Sequence, residues 1–181
     1  MRWLDRLLRR PPVPDWLRRE LQDDEYVLAS AHVDPAVVDP AGPSDAMLVA
    51  TSHGIWLPDR RRVGWHLVSK ATWSDGTLGL VEAVADPVEG SDRAAVLSDL
   101  PVRRFRLAGP GKLPQTVHQR VEASILSRHR RDLADGGVWL VQRKVPGRGT
   151  PQLQVRPDPG TDDAAVRHIA VEVTRGIGLD R

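Results

Sequence analysis

The chain has 181 residues, a formal net charge of +2 and no cysteine. That length suffices for one cored domain, with or without a small appendage, and the lack of cysteine excludes disulfide scaffolds, thiolate metal sites and thiol nucleophiles. The sequence pI of about 9.5 overstates basicity: few groups titrate between neutrality and that pH, so composition does not describe a strongly basic nucleic-acid binder.

Residues 2 to 10 predict a short amphipathic helix, with Trp3, Leu4, Leu7 and Leu8 on one face and Arg2, Arg6, Arg9 and Arg10 around it. Pro11 and Pro12 stop it. A cationic helix of this kind suits an anionic membrane surface, and the same apolar side chains equally suit packing on the rest of the chain or on a second subunit. Asp15 is placed to cap a second short helix, Trp16 to Leu21, and an acidic QDDE stretch, read as a solvated turn, leads into a first strand, Tyr26 to Val33. Residues 34 to 45, rich in Pro and Asp and lacking Lys and Arg, read as a loop.

From Ala46 to Ala83 apolar and polar residues alternate and turn residues interrupt three times, the pattern of a β-meander. Met47 to Thr51 is a strand, Ser52-His53-Gly54 a tight turn in which Gly54 suits a positive φ, and Ile55 to Leu57 the next strand. After the turn Pro58 to Arg62 a long strand is expected, with Val63, Trp65, Leu67, Ala71 and Trp73 on one face. That alternation predicts buried tryptophans, although Trp56, Trp65 and Trp73 together could also form an aromatic binding face. Ser74-Asp75-Gly76 is a hairpin signal, followed by a strand through Leu78 and Leu80. A short strand is expected around Ala94 to Leu97, and another from Val102 to Leu107. Pro114 opens a helix expected to run to Ala134, carrying Val117, Val121 and Ile125 as its apolar stripe, with Gly136-Gly137 as its end. Val138 to Val145 and Leu153 to Arg156 predict a hairpin, and Asp162 or Asp163 begins a last helix that Gly176 ends.

The order of these elements resembles bacterial pleckstrin-homology-like (PH-like) proteins of high-GC genomes. The resemblance rests on DDEYVLASA, LVATSHGIWLP, VGWHLVSKATWSDGTLGL and the helix after VRRFRLA, and covers residues 22 to 135. It implies an α+β, mainly β fold: a PH-like antiparallel barrel or sandwich closed by a long helix, with N-terminal short helices and an appended C-terminal β-hairpin plus helix. The corresponding divisions are an N-terminal amphipathic segment, residues 1–22, a PH-like barrel with its capping helix, 23–136, and the appended hairpin and helix, 137–181, packed on the same domain. The resemblance further implies a binding or scaffold role. Phosphoinositide-binding members of the fold place basic residues on the first strand and the loop after it. Here those positions hold none, and the loop carries only Asp charges, so no headgroup-binding residues transfer.

Catalytic chemistry has no signature in the chain. GxSxG, HExxH, Walker A and strand-linked GxGxxG motifs are absent. His32, His53 and His66 lie on neighbouring strand-forming segments and would make a cross-strand metal site if brought together, though they read first as ordinary surface or edge histidines; His118 and His129 are too far apart on the expected helix to share an ion. No cofactor or metal is expected. Arg60, Arg61 and Arg62, together in a turn, are the candidate contact for an anion or partner. The functional expectation is a non-enzymatic, cytoplasmic interaction module that binds a protein or self-associates as a dimer. One alternative is a peripheral adaptor at the inner membrane face, held by Trp3, Leu4, Leu7, Leu8, Arg6, Arg9 and Arg10. A second is an enzyme or small-ligand carrier with a cleft between barrel and C-terminal hairpin. Nucleic acid is not an expected partner.

Overall fold

The computed structural model describes residues 13–34, 46–134 and 136–179. The expected membrane or partner face of Trp3, Leu4, Arg6, Leu7, Leu8, Arg9 and Arg10 lies outside these residues. A helix α1 (Asp15–Glu20) precedes four strands, β1 (Val27–Val33), β2 (Met47–Thr51), β3 (Gly54–Trp56) and β4 (Arg62–Gly64). A 3-10 turn (Trp65–Leu67) then leads to β5 (Val68–Ser74), β6 (Thr77–Pro87), β7 (Ala94–Asp99) and β8 (Arg103–Ala108). The helix α2 (Leu113–Ala123), strands β9 (Ile125–Leu133), β10 (Gly136–Arg143) and β11 (Gln152–Pro157), and a last helix α3 (Asp163–Leu179) complete the chain. Among the described residues no helix is long and apolar enough to cross a membrane.

The protein is mainly β, as expected, but its strands do not close into a barrel. They follow one path, β4-β3-β2-β1-β8-β6-β7-β11-β10-β9, with β5 branching from β6. The sheet is also mixed, because β11 lies parallel to β7 while the other pairs are antiparallel. The physical reason is the length of β6. Its first half pairs with β5 and β8, and its second half, Ala83 to Pro87, leaves them to pair with β7. One strand thereby carries the sheet out of the first half of the molecule and into the second.

Each half has its own core. In the first, α2 lays Leu113, Val117 and Val121 against Leu48, Ala50, Ile55, Trp65, Phe105 and Leu107. All five residues of β2 are buried, because the strand is covered on both faces: Leu48 and Ala50 point under α2, and Met47 and Val49 pack with Leu17 of α1 and Trp56. In the second, α3 sets Val166, Ile169 and Ala170 on Ala94, Val138, Leu153 and Val155. Periodicity of two in the strands and near four in the helices supplies both faces.

Several local expectations are corrected. The helix begun at Pro114 stops at Ala123, and residues 125–133, expected to continue it, form β9. A hydrophobic stripe that happened to extend through Ile125 does not outweigh a continuous antiparallel ladder with β10. Ser124 marks the change: its amide still bonds back to Arg120, while its carbonyl accepts from the Lys144 amide at 2.7 Å. Gly136 and Gly137 therefore open β10 instead of ending a helix, His129 is a strand residue, and α3 runs through Gly176. The expected long strand from Val63 to Trp73 is broken at the 3-10 turn, which reorients the alternation. Trp65 is buried, donating Nε1–H to the Thr51 carbonyl at 3.0 Å, and Trp56 is buried, but Trp73 is 42% exposed. Gly54 is needed for close approach, not for positive φ: a Cβ there would stand 2.3 Å from the Val63 carbonyl oxygen of the paired strand. The Asp75-Gly76 turn is as expected, with φ of +50° and +72° joining β5 to β6 in a two-residue hairpin.

Candidate functional site

In the acidic stretch before β1, Asp23 and Asp24 lie exposed in a turn, as expected, but Glu25 does not. The Glu25 side chain is fully buried beneath β2 and β3. Its Oε1 accepts from Thr51 Oγ1 at 2.5 Å and Trp56 Nε1 at 3.1 Å, and its Oε2 accepts from Arg62 Nη1 and, at 3.4 Å, from the Gln22 amide. Thr51 Oγ1 also accepts from the amides of His53 and Gly54. The carboxylate thus bonds together the turn after α1, β2, β3 and β4. No spacing in the sequence marks Glu25; only the fold brings its four donors to it.

Arg60, Arg61 and Arg62 are adjacent in sequence and diverge in space. The Arg60 guanidinium lies over the Trp16 ring at 5.3 Å. Arg61 makes a bidentate pair with Glu82 at 2.6 and 2.8 Å, which raises its pKa above the ordinary value. Arg62 pairs with Glu25 and lies over Trp56. The three do not converge on a common point.

A different set of cations does converge. A cleft of about 470 Å³ opens between the β2–β3 turn, the end of α2 and the loop from Lys144 to Pro151 that joins β10 to β11. Arg120, Lys144 and Arg148 line it, no carboxylate does, and none of the three has an ion-pair partner among the described residues. Its apolar lining comes from Trp65, Ala123, Leu126, Val145, Pro146 and Pro151, and Leu126 remains 47% exposed. The bond from the Lys144 amide to Ser124 ties the loop to the end of α2 and so fixes the width of the cleft. His53 closes one end, with Nδ1 3.1 Å from Gln22 Oε1 and Nε2 3.3 Å from Asp24 Oδ2. Both ring nitrogens are thus engaged, and no hydroxyl is hydrogen-bonded to them among the described residues.

Behind this cleft, where the 3-10 turn meets β10 and β11, the packing is polar. Arg143 Nη2 donates to the carbonyls of Trp65 and Val68 at 2.6 and 3.0 Å, and Gln154 Nε2 donates to that of His66 at 2.7 Å. The His66 pKa is lowered to about 4, first by burial and then by the charges of Arg143 and Arg148, so the ring is neutral at pH 7. Among the described residues no three His, Asp or Glu side chains are grouped to hold a metal ion; His32, His53 and His66 are not brought together.

Compared with known proteins, the chain matches no family, no curated protein and no solved structure.

Proposed function

We propose that this chain is a non-catalytic interaction module, PH-like in its first half, that captures an acidic segment of a protein partner in the Arg120–Lys144–Arg148 cleft. The observation that carries the reading is the composition of that cleft: three cations without internal partners around an apolar floor. Opposite charge brings an acidic chain in and holds its register, and the apolar floor takes up its hydrophobic side chains. Support for the PH-like reading is the strand grammar. A four-strand meander, β1 to β4, is followed by the set β5, β6 and β8, and α2 comes directly after β8 to cover the shared core. β7 is then an insertion that recruits the C-terminal elements, and the cleft lies at the resulting seam.

The test is a fluorescence anisotropy titration with labelled peptides that alternate Glu with Leu, Glu with Ser, or Lys with Leu. The Glu–Leu peptide should bind best, and its affinity should fall as salt is raised, because the attraction is screened over about 8 Å at physiological ionic strength. The triple variant Arg120→Glu, Lys144→Glu, Arg148→Glu should lose binding while keeping the wild-type melting temperature. Equal binding by wild type and triple variant would remove the cleft as the site.

A further inference from the structure

The opposite face of the C-terminal sheet holds a second concavity of about 250 Å³, bounded by Ser69 of β5, Arg128 of β9, Trp139, Val141 and Arg143 of β10, and Arg156 of β11. Among the described residues three arginines line it and no carboxylate does. The pairing registers put Arg130 and Arg156 on either side of Trp139, and Arg128 and Gln154 on either side of Val141, so these residues share the face turned away from α3.

Arg143 is the unusual member. It is only 2% exposed, its two hydrogen bonds go to neutral carbonyls, and its buried Nε has no hydrogen-bond partner. Among the described residues no carboxylate lies within ion-pair distance of it. Its neighbours Arg128 and Arg156 are cations as well. Arg128 pairs outward with Glu122 at 3.5 Å, and Arg156 is held by Asp99 at 3.1 Å and by Ser69 Oγ at 2.7 Å. Burial first, then Arg156 and Arg128, push the Arg143 pKa down to about 10 against a smaller opposing pull from Glu122. A buried guanidinium normally has a counter-charge, because an uncompensated buried ion is costly, and each unsatisfied buried donor in a native fold calls for an explanation.

We propose that this concavity binds a phosphoryl group, the oxyanion supplying the missing counter-charge among Arg128, Arg143 and Arg156, with the organic part of the ligand lying along Trp139 and Val141. Several guanidinium groups around one cavity suit a tetrahedral oxyanion with acceptors on every side. The Trp139 ring is half-exposed at the wall, braced by Arg130 at 5.5 Å, while Ser69 Oγ donates to Asp99 and accepts from Arg156, holding that arginine at the rim.

The experiment is a titration of the full chain with inorganic phosphate and with phenyl phosphate, each against sodium chloride at matched ionic strength. It is read by the arginine Nε–H resonances and by the part of the tryptophan emission that Trp139→Ala removes, one of six tryptophans, and Arg143→Lys identifies the Arg143 resonance. Both phosphates should shift that resonance saturably at millimolar concentrations, phenyl phosphate at the lower ones, and chloride should not. Arg128→Gln, an exposed change, should weaken binding about 10-fold, the worth of one charge-assisted hydrogen bond. Trp139→Ala should abolish the preference for the phenyl ester, whereas Lys144→Gln and Arg148→Gln in the larger cleft should leave binding within twofold. Should Arg143→Lys not fold, Trp139 emission and Arg128→Gln decide alone. A response no greater than that to chloride, or an undiminished response in Arg128→Gln, overturns the proposal.

Discussion

Among the described residues each half of the molecule buries one charged side chain, Glu25 and Arg143, and the two are treated in opposite ways. Glu25, in the first half, is surrounded by donors from four segments and directly paired with Arg62. Arg143, at the seam with the second half, bonds only to carbonyl oxygens and lies beside two other cations, with Glu122 acting on it only from beyond ion-pair distance. Buried charge alone therefore does not distinguish architecture from a binding site; the state of its partners does. A satisfied network fastens elements together, and an unsatisfied one is costly.

The comparison breaks most directly at Glu25. Glu25→Leu should cost about 3–5 kcal/mol in denaturant unfolding, because it strands the Arg62 charge and the Trp56 and Thr51 donors at once. A loss below about 1 kcal/mol would show that the network is not what secures α1 to the sheet. A smaller effect is expected at His66, which sits in the positive field of Arg143 and Arg148. Its folded pKa of about 4 lies below the ordinary 6.5, so the unfolded chain takes up the proton first as pH falls. The stability of the neutral ring is thus present above pH 6.5 and lost between there and about 4. Going from neutrality to mildly acid pH should cost about 2 kcal/mol through this group, and His66→Gln should remove that part of the pH dependence of unfolding.

Arg143→Met sharpens the comparison from the other side. It forfeits two bonds to carbonyls but relieves an uncompensated charge, so its cost should stay at or below about 2 kcal/mol, less than that of Glu25→Leu. Phosphate should raise the melting temperature of the wild type and not of this variant. The smallest change is expected at the start of α3, where Asp162 Oδ2 accepts from the Ala165 amide at 2.9 Å. Asp162→Ala should cost about 1 kcal/mol, the usual worth of an N-cap, and should leave both concavities unaffected.

Much of the architecture was legible because it rests on short-range pattern. Alternation located β1, β2, β8, β10 and β11, the Asp75-Gly76 pair located its hairpin, and Asp162 or Asp163 located the start of α3. What misled was a pattern that two structures share. Val117, Val121 and Ile125 fit a helix stripe, yet Ile125 begins a strand whose partner lies beyond a turn, and no local signal carries that pairing. The functional residues were harder still. Arg60, Arg61 and Arg62 are adjacent in sequence, but their side chains diverge, and each has its own internal partner. Arg120, Lys144 and Arg148 stand far apart in sequence, so their convergence has no linear signature. Glu25 was hidden among solvent-seeking acids.

Local pattern in the amino-acid sequence is enough to specify a mainly β structure with helices covering apolar sheet faces, and where most strands, turns and caps fall. Those properties follow from side-chain period, backbone freedom and capping, all of which act within a few residues. The tertiary structure alone decided that the sheet stays open and mixed, that β6 passes from one half to the other, and which charges are answered. Those outcomes depend on pairing between distant segments and on burial, and a charge acquires its meaning only from the partners that folding places around it.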